Sequence, residues 1–318
     1  MEQAIKSFPK QFSFKPEIKN LSTLQKKNSF IVAGMGGSAL AADLLRAWNP
    51  KLDLLIHRNY GLPEIQKGRL GEYLFIASSY SGNTEEILDG LAEALKRGMA
   101  AAVVTTGGKL LKEAVKNKLP YILLPSDGIQ PRMALGLSAK AILKFMDETG
   151  GLEKISKLTD LKPEIYEESG RALAKKLDGY IPVVYASQRN MPVAYTWKIK
   201  FNETGKIPAF ANRFPELNHN EMTGFDGNGE AKDLSEKFYF LFLRDRADDP
   251  RIRRRMEVME DLLRERKLKF EAIDLEGDEF HKIFGSLLVA DWAAYYLAYH
   301  YGSDPEAVPM VEKFKKLI

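Results

Sequence analysis

The sequence contains no cysteine. That absence excludes disulfides, a thiol nucleophile and any cysteine-ligated metal or iron–sulfur centre. Histidine is scarce: His57, His219, His281 and His300 are too dispersed to read as a metal site. No apolar run approaches the roughly 20 residues that a membrane-spanning helix requires, and residues 1–10 lack the apolar core of a secretory signal, so a cytoplasmic location is expected. A strong charge of either sign is also missing. The net charge of +4 suits a small anionic substrate and is too weak to argue for nucleic acid. Low-complexity tracts are absent, and 318 residues are many for one core and natural for two domains of roughly 150 residues each.

The stretch that organises the rest is YLFIASSYSGNTEEILDGL, residues 73–91. Its first five residues form the short apolar run of a strand buried on both faces. Small hydroxyl residues and one glycine follow, and Glu85, Glu86, Ile87, Leu88 and Leu91 then take up helical spacing. Ser79, Ser81, Gly82, Asn83 and Thr84 therefore fall in a tight strand-to-helix turn. Helix-start amides, the positive end of the helix dipole and the hydroxyls converge there as a phosphate monoester requires. A lysine of the nucleotide-binding P-loop type is missing from the turn.

A second strand–turn–helix precedes it. Residues 29–33 read as a strand that enters Gly34-Met35-Gly36-Gly37-Ser38, with a helix over 39–48. The turn is not a dinucleotide fingerprint: the third glycine of G-x-G-x-x-G is missing, and no acidic residue ends a following strand at the usual distance. Its glycines are expected to let the backbone approach a sugar closely. Strands over 53–57, 100–105 and 121–124 and helices over 109–117 and 133–149 complete a doubly wound α/β domain. Both turns should then meet at one crevice beyond the carboxyl ends of the strands, and PSDGIQPR, residues 125–132, should deliver Arg132 to the same edge.

Gly150 and Gly151 mark the expected boundary, giving domains 1–150 and 151–318. The second half shows strands over 181–186, 238–243 and 269–274, and helices over 163–177, 192–203, 250–267 and 278–301. A second α/β layer follows, without a second S-x-S-G-x-T turn. In FNETGK the spacing places Gly205 at a left-handed helix cap, with Glu203 in the last helical turn. A carboxylate at the negative helix end, once partly desolvated, has its pKa raised toward what a general base needs. Downstream, His219 sits in the polar run PELNHN, and a short terminal helix over 309–318 carries Lys313, Lys315 and Lys316. Arg251, Arg253, Arg254 and Arg255 open a helix whose Ile252, Met256, Met259 and Leu263 form a buried stripe, so a solvated basic face explains them. Trp292, Tyr295, Tyr296, Tyr299 and Tyr301 read as core or dimer interface.

Taken together, GMGGSA, SSYSGNT, QPR, FNETGK and PELNHN resemble the sugar isomerase (SIS) domain proteins, and among them the bifunctional phosphoglucose/phosphomannose isomerases. The resemblance runs in the same order over nearly the whole chain. It implies two tandem SIS domains, a homodimer with active sites at the subunit interface, and no metal or organic cofactor. It also implies roles. Gly37, Ser38, Ser79, Ser81 and Thr84 would hold the substrate phosphate. Arg132 would face an enediolate, Glu203 would move the proton between C1 and C2, His219 would open the sugar ring from the partner subunit, and Lys315 would assist near the ring oxygen. Val308 stands where family members often carry a threonine that is tied to accepting either C2 epimer. The implied reaction is aldose–ketose isomerisation of glucose 6-phosphate, and of mannose 6-phosphate, to fructose 6-phosphate. A non-catalytic sugar-phosphate sensor is the alternative, though no DNA-binding segment is left over. An amidotransferring synthase would need the missing cysteine.

Overall fold

The computed structural model describes residues 1–318 apart from Lys67, Asp127, Asn228, Lys316 and Ile318. The chain divides into two compact units, one of residues 7–161 and one of residues 1–6 with 162–318. The division falls eleven residues beyond the expected boundary. Gly151 lies inside the first unit, where a Cβ would stand 2.9 Å from the Trp48 ring and 3.0 Å from Leu143, so the chain there is packed core rather than linker.

The N-terminal helix α1 (Glu2–Lys6) belongs to the second unit. In the first unit, β1 (Ser29–Ala33), β2 (Leu54–His57), β3 (Tyr73–Ser78), β4 (Ala100–Thr105) and β5 (Tyr121–Leu123) form one parallel sheet in the order β2-β1-β3-β4-β5. Apolar runs go to the middle: every residue of β3 and β4 is buried, while β2 and β5 at the edges are partly exposed. The connections are α2 (Gly37–Trp48), α3 (Glu85–Lys96) and α4 (Gly108–Lys116). Ile87, Leu91 and Leu110 from α3 and α4 pack on Ile31, Phe75 and Val103. The alternate residues Val32, Leu74 and Ile76 are buried too, on the face that α2 and α5 (Leu135–Phe145) cover.

The helix expected over 133–149 is broken. It ends at Phe145, Asp147 takes φ +57°, and α6 (Thr149–Ser156) begins after it. Residues 7–13 are anchored as well. Phe8 and Phe12 are buried, and the Gln11 carboxamide oxygen accepts from Gly136 N–H at 3.0 Å at the start of α5. Buried Lys140 donates to the Phe12 carbonyl and to Ser156 Oγ.

The second unit repeats the plan with α7 (Pro163–Lys176), β6 (Ile181–Ser187), α8 (Met191–Glu203), β7 (Phe210–Phe214), α9 (Glu230–Ser235), β8 (Phe238–Arg244), α10 (Pro250–Glu265), β9 (Lys269–Asp274), α11 (Glu279–His300) and α12 (Pro309–Lys315). Its parallel sheet runs β7-β6-β8-β9. β7 is absent from the sequence expectation because FANRF does not alternate: as an edge strand it buries only Phe214. The arginine-rich start of α10 is a solvated face over buried Met256, Met259 and Leu263, as its spacing implies. On α11, Trp292 and Tyr295 are core, whereas Tyr299 and, just past the helix, Tyr301 are exposed. The terminal helix is described only to Lys315, so the expectation for Lys316 and Ile318 lies outside the described residues.

Both sheets are thus doubly wound. In each, the order reverses between the first strand and its successor, at β1/β3 and at β6/β8, and such reversals open a crevice beyond the carboxyl ends of the strands.

Candidate active site

At the first reversal the register is level: Ala33 pairs with Ala77, so β1 and β3 release their turns side by side. The two turns bond directly. Tyr80 N–H donates to Ser38 Oγ at 3.0 Å, and both Ser38 and Ser79 are buried. Within the second turn, Ser79 Oγ lies 2.7 Å from Thr84 Oγ1 and accepts from Gly82 N–H at 3.1 Å. Ser81 is exposed at the tip, its Oγ 3.3 Å from Asn83 N. Gly82 has φ +68°, and a Cβ on it would stand 1.9 Å from the Gly107 carbonyl. That approach locks the turn to the following one, where Leu110 N–H donates to Gly82 O at 2.9 Å and Lys109 N–H to Asn83 Oδ1 at 3.1 Å.

Two helix starts face this crevice. Neither α2 nor α3 has a side-chain cap; Thr84, the N-cap residue of α3, directs its hydroxyl to Ser79 instead. Ser38 and Ala39 of α2 and Ile87 of α3 donate their N–H groups to the Met35, Gly36 and Thr84 carbonyls, so it is chiefly the two positive dipole ends that favour an anion there. The third arm is the chain around Pro131. A Cβ on Gly37 would lie 2.3 Å from Pro131 O and 2.9 Å from Arg132 N, so the glycine makes room for that backbone. Arg132 is 4% exposed, with its backbone nitrogen beside Gly37. Gly37, Ser38, Ser79, Thr84 and the Arg132 backbone thus lie together at this edge of the sheet, with Ser81 exposed beside them.

Glu203, His219 and Lys315 belong to the second unit. Glu203 is the last residue of α8 and half-buried. One turn earlier, Lys200 donates to Asp291 on α11 at 2.5 Å, each side chain 2% exposed, and this buried pair fixes the helix that carries Glu203. The expected left-handed cap at Gly205 is not what forms. Lys206 takes φ +59°, and Gly205 is needed because a Cβ there would meet the Phe201 carbonyl at 2.8 Å. Lys206 Nζ bonds the Glu203 and Ala307 carbonyls, joining the end of α8 to the segment that leads through Val308 into α12. The sequence reading assigned nothing to Lys206; its place directly after Gly205 was the available signal. His219 is exposed, in the 3-10 segment that follows β7. Lys315 is exposed on α12, whose Met310, Val311 and Phe314 are exposed as well.

The second reversal is filled differently. Ser187 Oγ donates to Asp248 Oδ1 at 2.6 Å, Asn190 Nδ2 reaches Asp245 Oδ2 at 3.1 Å, and Lys282 Nζ reaches the same oxygen at 2.6 Å. Burial pushes the Asp248 carboxyl up, with Asp245 nearby adding to it. Burial would raise Asp245 likewise, but Lys282, the Ala247 amide and Asn190 bring it below its ordinary value. Two carboxylates occupy this crevice, so an anion is expected only at the first. The remaining histidines are engaged locally: His57 with the Tyr60 carbonyl, His281 with Asp278 and His300 with Asp178. Among the described residues no group of three or more His, Cys, Asp or Glu is placed to hold a metal, and no helix is long and apolar enough to cross a membrane.

A bifunctional phosphoglucose/phosphomannose isomerase from Caldicellulosiruptor bescii is 33% identical over 99% of this chain and 98% of its own length. The chain belongs to that family. It is accordingly an isomerase of two tandem SIS domains. The relative of the same name from Aquifex aeolicus is 30% identical over 99% of this chain and 97% of its own. The family model described as the bacterial phospho-glucose isomerase C-terminal SIS domain matches residues 166–318. Among solved structures, glucosamine-6-phosphate deaminase from Thermotoga maritima superposes with a TM-score of 0.70 over 97% of each chain at 16% identity, a likeness of fold alone.

Proposed function

We propose that this enzyme is a cofactor-independent aldose–ketose isomerase that interconverts glucose 6-phosphate, and mannose 6-phosphate, with fructose 6-phosphate. The observation that carries the reading is the hydroxyl-lined turn at the start of α3, bonded to the Ser38 turn beside the backbone of Arg132, in a chain of this family. The phosphate sits on Ser38, Ser79, Ser81, Thr84 and the Gly37 backbone. Hydroxyl and amide donors hold the ester dianion, and the helix dipoles favour it.

Chemistry proceeds on the open-chain sugar. His219, as imidazolium, protonates the ring oxygen while the anomeric hydroxyl gives its proton to water, which frees the C1 aldehyde and leaves the imidazole to be reprotonated from solvent. Lys315 supplies positive charge near the ring oxygen. Glu203 takes the C2 proton, leaving a C1–C2 enediolate whose charge Arg132 offsets; the same carboxylic acid returns the proton to C1, and the O1–O2 proton shift leaves the ketone at C2. No electron acceptor is needed, since C1 is reduced as C2 is oxidised. We place the enzyme in the cytoplasm as a homodimer in which His219, exposed on one chain, serves the site of its partner.

A coupled assay tests this. Purified protein should form fructose 6-phosphate from glucose 6-phosphate and from mannose 6-phosphate without added metal or cofactor. Val308 bears on the second of these substrates. Tight binding of both sugars with no turnover would instead identify a sensor.

A further inference from the structure

Two residues beyond His219, Glu221 is tied by both carboxylate oxygens to two strands of the second sheet. Tyr185 Oη donates to Oε1 at 2.5 Å, and Asn212 Nδ2 donates to Oε2. Tyr185 lies on β6, is fully buried, and packs its ring against Phe214, Phe240 and Phe242. Burial raises its pKa, with Glu221 adding to the rise, so its hydroxyl stays a donor. Asn212 lies on β7, two residues before Phe214. Other polar contacts of the loop are exposed: Asn220 Nδ2 reaches Glu216 Oε1 at 2.8 Å within the loop, and Arg255 Nη1 of α10 reaches Asn218 Oδ1 at 3.3 Å. Phe214 and Leu217 pin the chain on the near side of His219 by apolar burial, which sets position loosely. Glu221 supplies the directional hold on the far side.

We infer that Glu221 is a positioning residue for His219, fixing the loop that presents the imidazole by bridging Tyr185 and Asn212. A carboxylate held at both oxygens by donors on adjacent strands leaves the loop one orientation relative to the sheet, whereas a hydrophobic side chain would allow it to slide. Displacing a reacting group by about 1 Å costs on the order of 100-fold in rate. The inference rests on the reading of His219 as the ring-opening group.

A double-mutant cycle in the full-length enzyme tests it, with turnover of glucose 6-phosphate and inhibition by an acyclic five-carbon aldonate phosphate, which needs no ring opening, measured side by side. Glu221→Ala should lower kcat about 10- to 100-fold and leave inhibition by the acyclic compound within about twofold. Glu221→Gln, whose amide oxygen still accepts from Tyr185, should recover part of the loss. In a His219→Asn background Glu221→Ala should add little further loss, because groups that act through one another are not additive. If Glu221→Ala fails to fold, Tyr185→Phe replaces it in the same cycle. Full additivity of the two substitutions, or equal losses of turnover and inhibitor affinity, would overturn the positioning role while leaving His219 as assigned. A His219→Asn enzyme at wild-type turnover would instead remove the ring-opening reading itself.

Discussion

Ser79 Oγ and Thr84 Oγ1 lie 2.7 Å apart across the turn that opens α3, and the Thr84 hydroxyl is thereby withheld from capping its own helix. A hydroxyl at an N-cap normally satisfies a first-turn amide. Here no side chain caps that turn, and because one hydroxyl of the pair donates to the other, the pair keeps one O–H for an outside acceptor. A hydrogen bond to a charged group is worth about 1.5–3 kcal/mol.

Ser79→Ala combined with Thr84→Val should therefore raise the KM for sugar phosphate and the Kd for inorganic phosphate by at least about tenfold. Titration calorimetry with phosphate and steady-state kinetics report both quantities. Unchanged phosphate affinity would move the anion site elsewhere.

Gly82 and Gly98 share φ +68° but not surroundings: a Cβ on Gly82 would lie 1.9 Å from a backbone carbonyl, and one on Gly98 would meet nothing within 4 Å. Gly98→Ala should cost about 1–2 kcal/mol, the penalty of left-handed backbone alone. Gly82→Ala adds a backbone clash, so a total of about 3 kcal/mol or more is expected. Urea midpoints of the two variants compare the terms directly, and equal shifts would show that the 79–84 turn is not clamped to Gly107.

The buried carboxyls at the β6/β8 crevice give a pH signature. The Asp248 pKa is raised in the folded state, chiefly by burial, so the group favours folding below its unfolded value of about 3.9 and that contribution is lost as pH rises through the folded pKa. Asp248→Asn, permanently neutral and still able to accept from Ser187, should be more stable than the parent at pH 7, with the gain fading as pH falls through the raised folded pKa and gone below about 4. Thermal melts from pH 3 to 8 trace the difference. A variant less stable at pH 7 than at pH 3, relative to the parent, would contradict it.

Much of the fold was legible because buried parallel strands are short apolar runs: β1, β3 and β4 read directly from SFIVA, YLFIAS and AAAVVT. β7 was not, since an edge strand with a single buried residue leaves no pattern. Nor was the break at Asp147, where a residue other than glycine takes positive φ. The strand-to-helix turn over 79–84 was legible from its small hydroxyl residues between an apolar run and a helical spacing. The cap of α8 was misread because glycine serves two purposes: at Gly205 it makes room for the Phe201 carbonyl, and the left-handed turn falls on Lys206. Glu221 and the Asp245–Asp248 crevice depend on contacts between distant strands, which no local spacing encodes.

The account turns on Glu203 as the group that carries hydrogen between C1 and C2. The decisive measurement is the turnover of Glu203→Gln, alongside exchange of the fructose 6-phosphate C1 hydrogen with deuterium from solvent, on protein shown to be folded and to bind inorganic phosphate as the parent does. Loss of a general base costs about 10²- to 10⁴-fold, and both rates should fall by that factor together. Turnover and exchange near the parent's values would contradict the assignment.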